Sequence, residues 1–357
     1  MEYLARVGVG TPANKVYLAL DTGSDVVWLQ CRPCKKCYEQ AGLIFDPRNS
    51  SSFSPLPCGD SRCQQLDSAD YSNCDNPQSS CLYKFTYGDG SFSFGNLSTE
   101  TLTDYMTETL TFRGTKLRKI IFGCGHDNEG LFVAAAGLLG LGRGKLSFPG
   151  QAGRRFRNKF SYCLVRRGSS GKSSILFGPT ALSRKAVFTR LVHNPDPSLG
   201  TFYYVALEGI SVGGKRVDIP PGVLELDREG NGGVILDSGT SVTRLAQPAY
   251  EAMRDAFQAW TKNLSQSSAF SLFDTCYDLS GMTEVTVPKV GLHFDGADMD
   301  LPAYNYLIPV DDNGKYCFAF AGKPSGLSII GNIQQQGFRI SYDLAKSRVG
   351  FTARSCV

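Results

Sequence analysis

The sequence predicts an all-β chain built from two related lobes, and three observations support this prediction. Short apolar or alternating stretches lie between turn residues along the chain, and the 39 glycines are spread throughout. A length of 357 residues exceeds what one ordinary hydrophobic core holds and fits two domains of similar size. A short pattern also occurs twice, once in each half of the chain.

The predicted strands are short and far outnumber the predicted helices. The stretches with the length and pattern of strands are Lys15–Leu20, Leu82–Tyr87, Leu117–Phe122, Ser174–Phe177, Phe202–Leu207, Gly233–Leu236 and Lys315–Phe320. The clearest helix is predicted over Gln247–Lys262, where Pro248 stands near the start and apolar residues recur at helical spacing. A second short helix is predicted over Ser147–Phe156.

The repeated pattern joins an apolar strand to an aspartate, a hydroxyl residue, a glycine and a second hydroxyl residue. The first copy is Tyr17–Ser24 and contains Asp21, and the second is Gly233–Thr240 and contains Asp237. Each copy is followed, further along the chain, by an apolar–apolar–glycine segment: Gly137–Gly142 in the first half and Ile329–Gly331 in the second. Two copies of one half-domain, each with one aspartate at a strand end, predict a molecule in which the two carboxylates act together.

The predicted domains are residues 1–180 and 181–357, with the boundary near Pro179–Arg184, where the apolar pattern is interrupted. The aspartate and the later glycine are further apart in the first half than in the second. The excess coincides with seven closely spaced cysteines. We therefore expect a cysteine-rich insertion at about residues 30–80 of the first lobe.

Each residue type in the repeat has a chemical reason. Two carboxylates held close together share one proton, so one can act as a base toward water and the other as an acid toward a carbonyl oxygen. Gly23 and Gly239 allow tight turns, and Ser24 and Thr240 can donate hydrogen bonds to the outer carboxylate oxygens. We expect Thr22 and Ser238 to hold the two loops at a fixed separation.

Four features occur in an order that resembles the pepsin-type aspartic peptidases over essentially the whole chain. They are Asp21–Ser24 with Trp28 shortly after, Tyr87–Ser91, Asp237–Thr240 and the two apolar–apolar–glycine segments. The early cysteine-rich insertion is similar to that of the nepenthesin-like plant enzymes. The stretches Phe122–Phe132, Leu272–Tyr277 and Leu327–Gly337 resemble the subgroup called aspartic protease in guard cell.

The resemblance implies a fold of two related β-barrel lobes with a cleft between them and a few short helices. It implies that Asp21 and Asp237 are the catalytic pair, that Tyr87 lies on a hairpin flap and that Trp28 is its hydrogen-bond partner. Gly88 and Asp89 match flap positions that contact substrate. The implied activity is cleavage of polypeptides beside bulky apolar side chains at acid pH, by a monomer without cofactor or metal, inhibited by pepstatin-like compounds.

The twelve cysteines indicate either disulfides or, for Cys31, Cys34 and Cys37, a metal site. Disulfides are favoured because the three histidines are scattered along the chain. Lobe structure and family likeness together give six pairs: Cys31–Cys34, Cys37–Cys124, Cys58–Cys81, Cys63–Cys74, Cys163–Cys356 and Cys276–Cys317. Among Cys31, Cys34, Cys37 and Cys124, the partners of these two pairs could be exchanged, because sequence alone does not fix connectivity.

Disulfides indicate an oxidising compartment, and we expect the secretory pathway (extracellular, endoplasmic reticulum or vacuole). The residues after Met1 do not form a signal peptide, so the targeting segment and propeptide are expected to be absent from this chain. Glycosylation sequons begin at Asn49, Asn96 and Asn263, which is close to chance for this composition.

The sequence gives little support to nucleic-acid binding, to a membrane span or to the role of an inhibitor. A net charge of +4 and a single basic cluster, Arg154–Lys159, make nucleic-acid binding an unlikely role. No apolar run is long enough to span a membrane. Some plant relatives of this fold inhibit xylanases with a broken active site, but here both aspartates, both glycines and Tyr87 are present.

Overall fold

The structure is a computed structural model that describes residues 3–66, 76–104, 110–111, 116–324 and 326–356. The chain divides into two compact units. The first comprises Met1–Phe160 and Ser173–Ala181, and the second comprises Ser161–Lys172 and Leu182–Val357. The sequence boundary at residue 180 therefore lies beside one of these divisions, whereas the segment Ser161–Lys172 belongs to the second unit.

The structure consists mainly of β-strands, as predicted. In the first half of the chain the strands are β1 (Leu4–Val9), β2 (Asn14–Asp21), β3 (Trp28–Gln30), β4 (Ser54–Pro55), β5 (Leu82–Thr86), β6 (Phe92–Asp104), β7 (Leu110–Thr111), β8 (Lys116–Glu129), β9 (Gly137–Gly140), β10 (Lys159–Cys163) and β11 (Ser174–Phe177). In the second half they are β12 (Val187–Val192), β13 (Tyr204–Val205), β14 (Leu207–Val212), β15 (Lys215–Arg216), β16 (Val234–Leu236), β17 (Thr243–Ala246), β18 (Ser265–Ser267), β19 (Cys276–Asp278), β20 (Val290–Phe294), β21 (Ala297–Leu301), β22 (Leu307–Pro309), β23 (Lys315–Phe318), β24 (Phe320–Lys323), β25 (Ser328–Ile330), β26 (Arg339–Asp343) and β27 (Arg348–Thr352).

Helices are few and short among the described residues. The α-helices are α1 (Phe148–Ala152), α2 (Gln247–Trp260) and α3 (Asn332–Gln335). The 3-10 helices are Pro47–Asn49, Cys63–Gln65, Pro179–Ala181, Pro197–Leu199, Ala303–Asn305 and Leu344–Lys346. Helices α1 and α2 lie within the two predicted helical stretches. Within the described part of the chain, no helix is both long and apolar enough to cross a membrane.

The main sheet of the first unit has the strand order β1-β2-β9-β3-β8-β6-β4, and β5 pairs with β6. Strand β1 also pairs with β6, through Val7 and Asp104, and so closes six of these strands into a ring. The inward side chains form one apolar cluster that includes Trp28, Tyr83 and Leu97, each fully buried. The ring gives β2 and β3, which carry Asp21 and Trp28, neighbours on both sides.

The second unit contains three groups of paired strands. The largest has the order β24-β17-β25-β16-β13-β12-β27-β26, and its central strand β16 ends immediately before Asp237. The other two have the orders β15-β14-β20-β21 and β18-β19-β23-β22. Helix α2 begins with Pro248 in its first turn and buries Tyr250, Met253 and Phe257, but Trp260 at its end is 58% exposed.

Two predicted disulfides of the insertion are wrong because the sheet register decides the partner of Cys31. Strand β3 runs parallel to β8 with Leu29 opposite Cys124, so Cys31, just beyond β3, reaches Cys124 at a Cα–Cα distance of 5.3 Å. The bridge Cys31–Cys124 therefore replaces both Cys31–Cys34 and Cys37–Cys124. The remaining two cysteines of the motif form Cys34–Cys37.

The nested pairs Cys58–Cys81 and Cys63–Cys74 are also wrong. Cys63 lies in a 3-10 helix that packs against the apolar cluster of the first unit, and it bonds to Cys81 at a Cα–Cα distance of 5.9 Å. Cys58 is disulfide-bonded as well, and Cys74 lies outside the described residues. The described chain has no free cysteine and no cluster of side chains suited to a metal ion.

Two predicted disulfides are present. Cys276 and Cys317 stand opposite each other on the paired strands β19 and β23, and the bridge joins them. Cys163, at the end of β10, bonds to Cys356. Cys163 and Cys356 both belong to the second unit, so this bridge fastens the end of the chain to that unit, although the predicted boundary at residue 180 placed Cys163 in the first lobe.

Candidate active site

The first aspartate loop begins where β2 ends. Asp21 is the last residue of that strand, and only 7% of its surface is exposed. The Gly23 N–H donates to Oδ1 of Asp21 at 2.9 Å, and the Ser24 hydroxyl donates to Oδ2. Both carboxylate oxygens therefore have a hydrogen-bond donor from the same four-residue segment, which fixes the orientation of the carboxylate and offsets the cost of its burial.

The first apolar–apolar–glycine segment lies directly beside this loop. Strand β9 runs parallel to β2 with Gly140 opposite Asp21, and the N–H of Leu141 donates to the Asp21 carbonyl at 2.7 Å. A side chain at position 140 would place its Cβ 2.1 Å from the carbonyl oxygen of Asp25. Glycine is therefore required for the close approach of the two backbones.

The second aspartate loop repeats this arrangement in the second unit. Asp237 follows β16, and 7% of its surface is exposed. The Gly239 N–H donates to Oδ1 at 2.9 Å, and the Thr240 hydroxyl donates to Oδ2 at 2.6 Å. Strand β25 runs parallel to β16, and the Asp237 N–H donates to the carbonyl of Ile330 at 3.1 Å. The sequence repeat is thus also a repeat of hydrogen bonds.

Buried polar side chains, which were not predicted from the sequence, also hold the second loop in place. The Gln335 side-chain amide donates to the carbonyl of Asp237 at 3.1 Å and to that of Ile330 at 2.8 Å. Its oxygen accepts the hydroxyl of Tyr162, whose pKa is raised well above its usual value by burial first and by Tyr342 next. Gln335 is fully buried. The sequence feature that could have indicated its role is the run of amide residues that follows the second apolar–apolar–glycine segment.

The inner hydroxyl residues of both loops are buried. Thr22 is 0% exposed and Ser238 is 1% exposed. In the second unit the side-chain amide of Asn332, on α3, donates to the carbonyl of Ser238 at 3.0 Å. The positions predicted to support the carboxylates therefore lie inside each unit, where their conformations are constrained by packing.

The predicted flap is a β-hairpin between β5 and β6. The N–H of Tyr87 donates to the carbonyl of Ser91 at 2.8 Å, and the N–H of Gly90 donates to the carbonyl of Tyr87 at 3.0 Å. Gly90 has φ of +86°, which favours glycine at this turn. Gly88 and Asp89 are exposed at the tip, where the Asp89 carboxylate accepts the Ser91 N–H at 2.9 Å.

The hairpin is connected to the core by the predicted aromatic pair. The indole N–H of Trp28 donates to the Tyr87 hydroxyl at 2.6 Å. Trp28 is fully buried, whereas Tyr87 is half-buried with its hydroxyl inward. Burial, followed by the negative charge of Asp21, raises the pKa of Tyr87 well above its usual value, so the phenol stays protonated. The Asp21 carboxylate is therefore near enough to Tyr87 to disfavour ionisation of the phenol.

Two further aromatic residues extend this cluster and were not predicted. The ring of Phe132 lies 5.1 Å from Trp28, 5.0 Å from Tyr38 and 5.9 Å from Tyr87, measured between centroids. Phe132 is the last residue of the stretch Phe122–Phe132. Its position between a predicted strand and a run of small residues could have indicated that it is buried. Together the four rings form one aromatic cluster in the first unit, within which Trp28 and Phe132 are buried.

Two family models match the chain. The model described as "Xylanase inhibitor N-terminal" matches residues 3–179, and the one described as "Xylanase inhibitor C-terminal" matches residues 202–353. The two matches fall on the two halves that the internal repeat defines.

Several plant proteases are similar to the chain over nearly its full length. It is 62% identical to "Aspartyl protease family protein 2" of Arabidopsis thaliana, covering 99% of this chain and 71% of that protein. It is 48% identical to "Protein ASPARTIC PROTEASE IN GUARD CELL 2" of the same plant, covering 99% and 73%. It is 40% identical to "Aspartic proteinase nepenthesin-1" of Nepenthes gracilis, covering 99% and 78%.

Solved structures share the fold at lower identity. The structure called "edgp" superposes with a TM-score of 0.80 at 22% identity, covering 99% of this chain and 91% of that one. "Basic 7S globulin from soybean" superposes with a TM-score of 0.75 at 21% identity, covering 98% and 92%. These similarities concern the fold alone.

Proposed function

Since this chain belongs to the family of nepenthesin-like plant aspartyl proteases and is an aspartic-type endopeptidase, we propose that Asp21 and Asp237 are its catalytic pair. The observation that carries the proposal is the repeated hydrogen-bond shell. In each unit an aspartate at a strand end accepts one backbone N–H from a glycine and one hydroxyl from the next residue. The two carboxylates therefore receive the same pair of donors, as expected for two groups that act as a symmetric pair.

The proposed reaction needs no covalent intermediate and no cofactor. The two carboxylates share one proton, as aspartic-protease pairs are known to do. The ionised carboxylate takes a proton from water, and the resulting hydroxide attacks the peptide carbonyl carbon. The protonated carboxylate gives its proton to the carbonyl oxygen. When the tetrahedral intermediate collapses, the C–N bond breaks and the leaving nitrogen takes the proton that the first carboxylate had removed from water. The other carboxylate takes a proton back from a hydroxyl of the intermediate as the carbonyl re-forms.

The backbone and side-chain donors fix the direction of each carboxylate. Ser24 and Thr240 bond to one carboxylate oxygen, while Gly23 and Gly239 bond to the other. Because these donors come from the same tight turn, they do not need to reorganise when charge moves between the two aspartates. We propose that Thr22 and Ser238 keep the loops in register with each other.

We assign substrate closure to the hairpin that carries Tyr87, Gly88 and Asp89. The Trp28 indole holds the Tyr87 hydroxyl inward, and the exposed tip is free to contact an extended polypeptide. A preference for bulky apolar side chains beside the cleaved bond is part of the same proposal, and the similarity to plant aspartic proteases supports it.

The expected pH profile follows from the shared proton. Activity is highest in acid, where the pair holds one proton, and falls toward neutral pH, where both carboxylates ionise. A pepstatin-like inhibitor, which presents a hydroxyl in place of the attacking water, should block the enzyme. The chain is expected to act as a monomer on polypeptides of the secretory pathway, with which its disulfides are consistent.

The test is cleavage of a peptide library at several pH values by the wild type and by Asp21→Asn and Asp237→Asn. Each variant should lose about 10³-fold or more in kcat/KM while keeping its thermal midpoint. Asp196→Asn is the matched control, because Asp196 is partly exposed and caps a 3-10 helix outside both aspartate loops. Full activity in either active-site variant would refute the assignment.

A further inference from the structure

The four-stranded sheet β15-β14-β20-β21 has one face against the core of the second unit and one face toward solvent. Along β21 the residues alternate: Ala297, Met299 and Leu301 are buried, whereas Asp298 and Asp300 are exposed. The strand register places Ser211 on β14 and His293 on β20, both partly exposed, on the same face as Asp298. This face carries several side chains that the peptidase reaction does not use.

Three of these side chains form a continuous line of hydrogen bonds. Nδ1 of His293 lies 2.7 Å from Oδ1 of Asp298, and Nε2 of His293 lies 2.9 Å from the hydroxyl oxygen of Ser211. An ionised carboxylate only accepts hydrogen bonds, so in the neutral imidazole Nδ1 carries the hydrogen. Nε2 is then an acceptor, and the Ser211 hydroxyl donates to it. This order of acid, imidazole and hydroxyl is the one that activates a serine nucleophile.

The strand register leaves space above the serine and places a cation beside it. Ser211 stands opposite Gly291 on one side and opposite Arg216 on the other. A Cβ at position 291 would lie 2.9 Å from the Ser211 hydroxyl oxygen, so glycine keeps that approach open. The Arg216 guanidinium donates to the carbonyl of Glu208, which holds it along the same strand pair. A cation at this position can stabilise negative charge that develops near the serine.

We propose that Ser211, His293 and Asp298 form a second, serine-nucleophile site that reacts with activated acyl esters and organophosphorus esters. The Ser211 oxygen forms a bond to the ester carbonyl carbon while its proton passes to Nε2 of His293. The bond to the leaving alkoxide then breaks, and the alkoxide takes that proton as it leaves. Water, deprotonated by the same imidazole, then forms a bond to the acyl carbon. The bond from that carbon to the Ser211 oxygen breaks, and the serine oxygen takes the proton back from the imidazole as the acid leaves.

The reaction needs the neutral imidazole, so it belongs at neutral pH, where the aspartic pair is expected to be inactive. The charged groups that face the imidazole are Asp298 and Asp300 from β21 and Arg216 from β15.

The experiment is labelling of the whole chain with a fluorophosphonate at neutral pH, read by intact mass and peptide mapping. Attack by the Ser211 oxygen on phosphorus expels fluoride, and the serine proton passes to His293. One adduct per chain at Ser211 is expected. Ser211→Ala should abolish it, and His293→Gln should slow it about 100-fold or more. Asp21→Asn should label at the wild-type rate, which separates this site from the peptidase site.

Ser198→Ala provides the matched control. Ser198 is an exposed serine that donates to Asp196 at 2.7 Å, and its hydrogen bonds in the structure involve no histidine. Asp298 acts through His293 as a positioning residue, so Asp298→Asn should slow labelling while Asp298→Glu restores it. Wild-type peptidase activity in the Ser211 and His293 variants would show that they fold. Absence of an adduct at Ser211, or an unchanged labelling rate in His293→Gln, would overturn the proposal.

Discussion

The hydrogen bond between Trp28 and Tyr87 offers a quantitative test of how the hairpin that carries Tyr87, the proposed flap, is held against the core of the first unit. The indole N–H and the phenol oxygen are 2.6 Å apart, and both rings contact Phe132. Trp28→Phe and Tyr87→Phe each remove one partner and keep an aromatic ring. The two single variants and the double variant complete a thermodynamic cycle.

The size of the expected effects follows from burial. Tyr87→Phe leaves the fully buried indole N–H of Trp28 without its acceptor, which costs about 1–3 kcal/mol. Trp28→Phe removes the donor and leaves space where the larger ring packed, so its cost should be at least as large. In the double variant neither polar group remains, so the two costs should not add. The expected coupling is about 0.5–1.5 kcal/mol, the net value of one such hydrogen bond.

Two measurements would give the coupling. The first is kcat/KM for one peptide substrate. The loss measured in the double variant should differ by a factor of about 2 to about 12 from the loss obtained by multiplying the losses of the two single variants. In thermal unfolding, each kcal/mol should shift the midpoint of a unit of this size by about 2–4 °C. Strictly additive effects in both measurements would refute the view that this bond fixes the flap.

Tyr83→Phe is the matched control for the cycle. Tyr83 is a fully buried tyrosine on the same hairpin, and its hydroxyl lies 3.0 Å from that of Ser93. Burial raises its pKa, as it does for Tyr87, but its hydroxyl bonds to Ser93 rather than to Trp28. This variant should lower stability without a matching loss of kcat/KM, and it should show no coupling to Trp28→Phe.

Three further predictions concern the scaffold. Gly140→Ala places a Cβ 2.1 Å from the Asp25 carbonyl oxygen, so it should cost more than about 1 kcal/mol and reduce kcat, measured by calorimetry and peptide cleavage. The Arg62 guanidinium lowers the pKa of Asp60 to about 2, so this pair stabilises the fold above about pH 4. In urea unfolding, Asp60→Asn should cost under about 1 kcal/mol at pH 6 and nothing below pH 2. The disulfide Cys163–Cys356 joins residues 193 positions apart. From the loop entropy of the unfolded chain, replacing both cysteines should destabilise the second unit by about 5 kcal/mol. An unchanged midpoint in urea unfolding would contradict this.

The aspartate loops could be predicted from sequence because their chemistry is local. Each carboxylate receives its two donors from residues two and three positions further along, so the motif itself contains the hydrogen bonds. The pairing of Trp28 with Tyr87 came from the family resemblance. Strand positions were predicted well where alternation was clear, as in Ser174–Phe177, which forms β11 with the same bounds.

Contacts between distant segments could not be predicted in this way. Gln335 supports Asp237 across 98 positions, and Phe132 reaches Trp28 from the far end of β8. In both cases the sequence shows only the residue type, because the partner is determined by which strands pair. The line from Ser211 through His293 to Asp298 arises in the same way, since strand pairing brings together Ser211 and His293, which are 82 positions apart.

The sequence alone determined the all-β class, the internal repeat, the two aspartates with their donors and the abundance of disulfides, because each depends on residue type and short spacing. Only the tertiary structure decided which cysteines are bonded. Cys31 pairs with Cys124 because β3 and β8 run parallel with Leu29 opposite Cys124. A disulfide needs two Cα atoms within about 7 Å, and that proximity is a property of strand register, which no local pattern near Cys31 specifies.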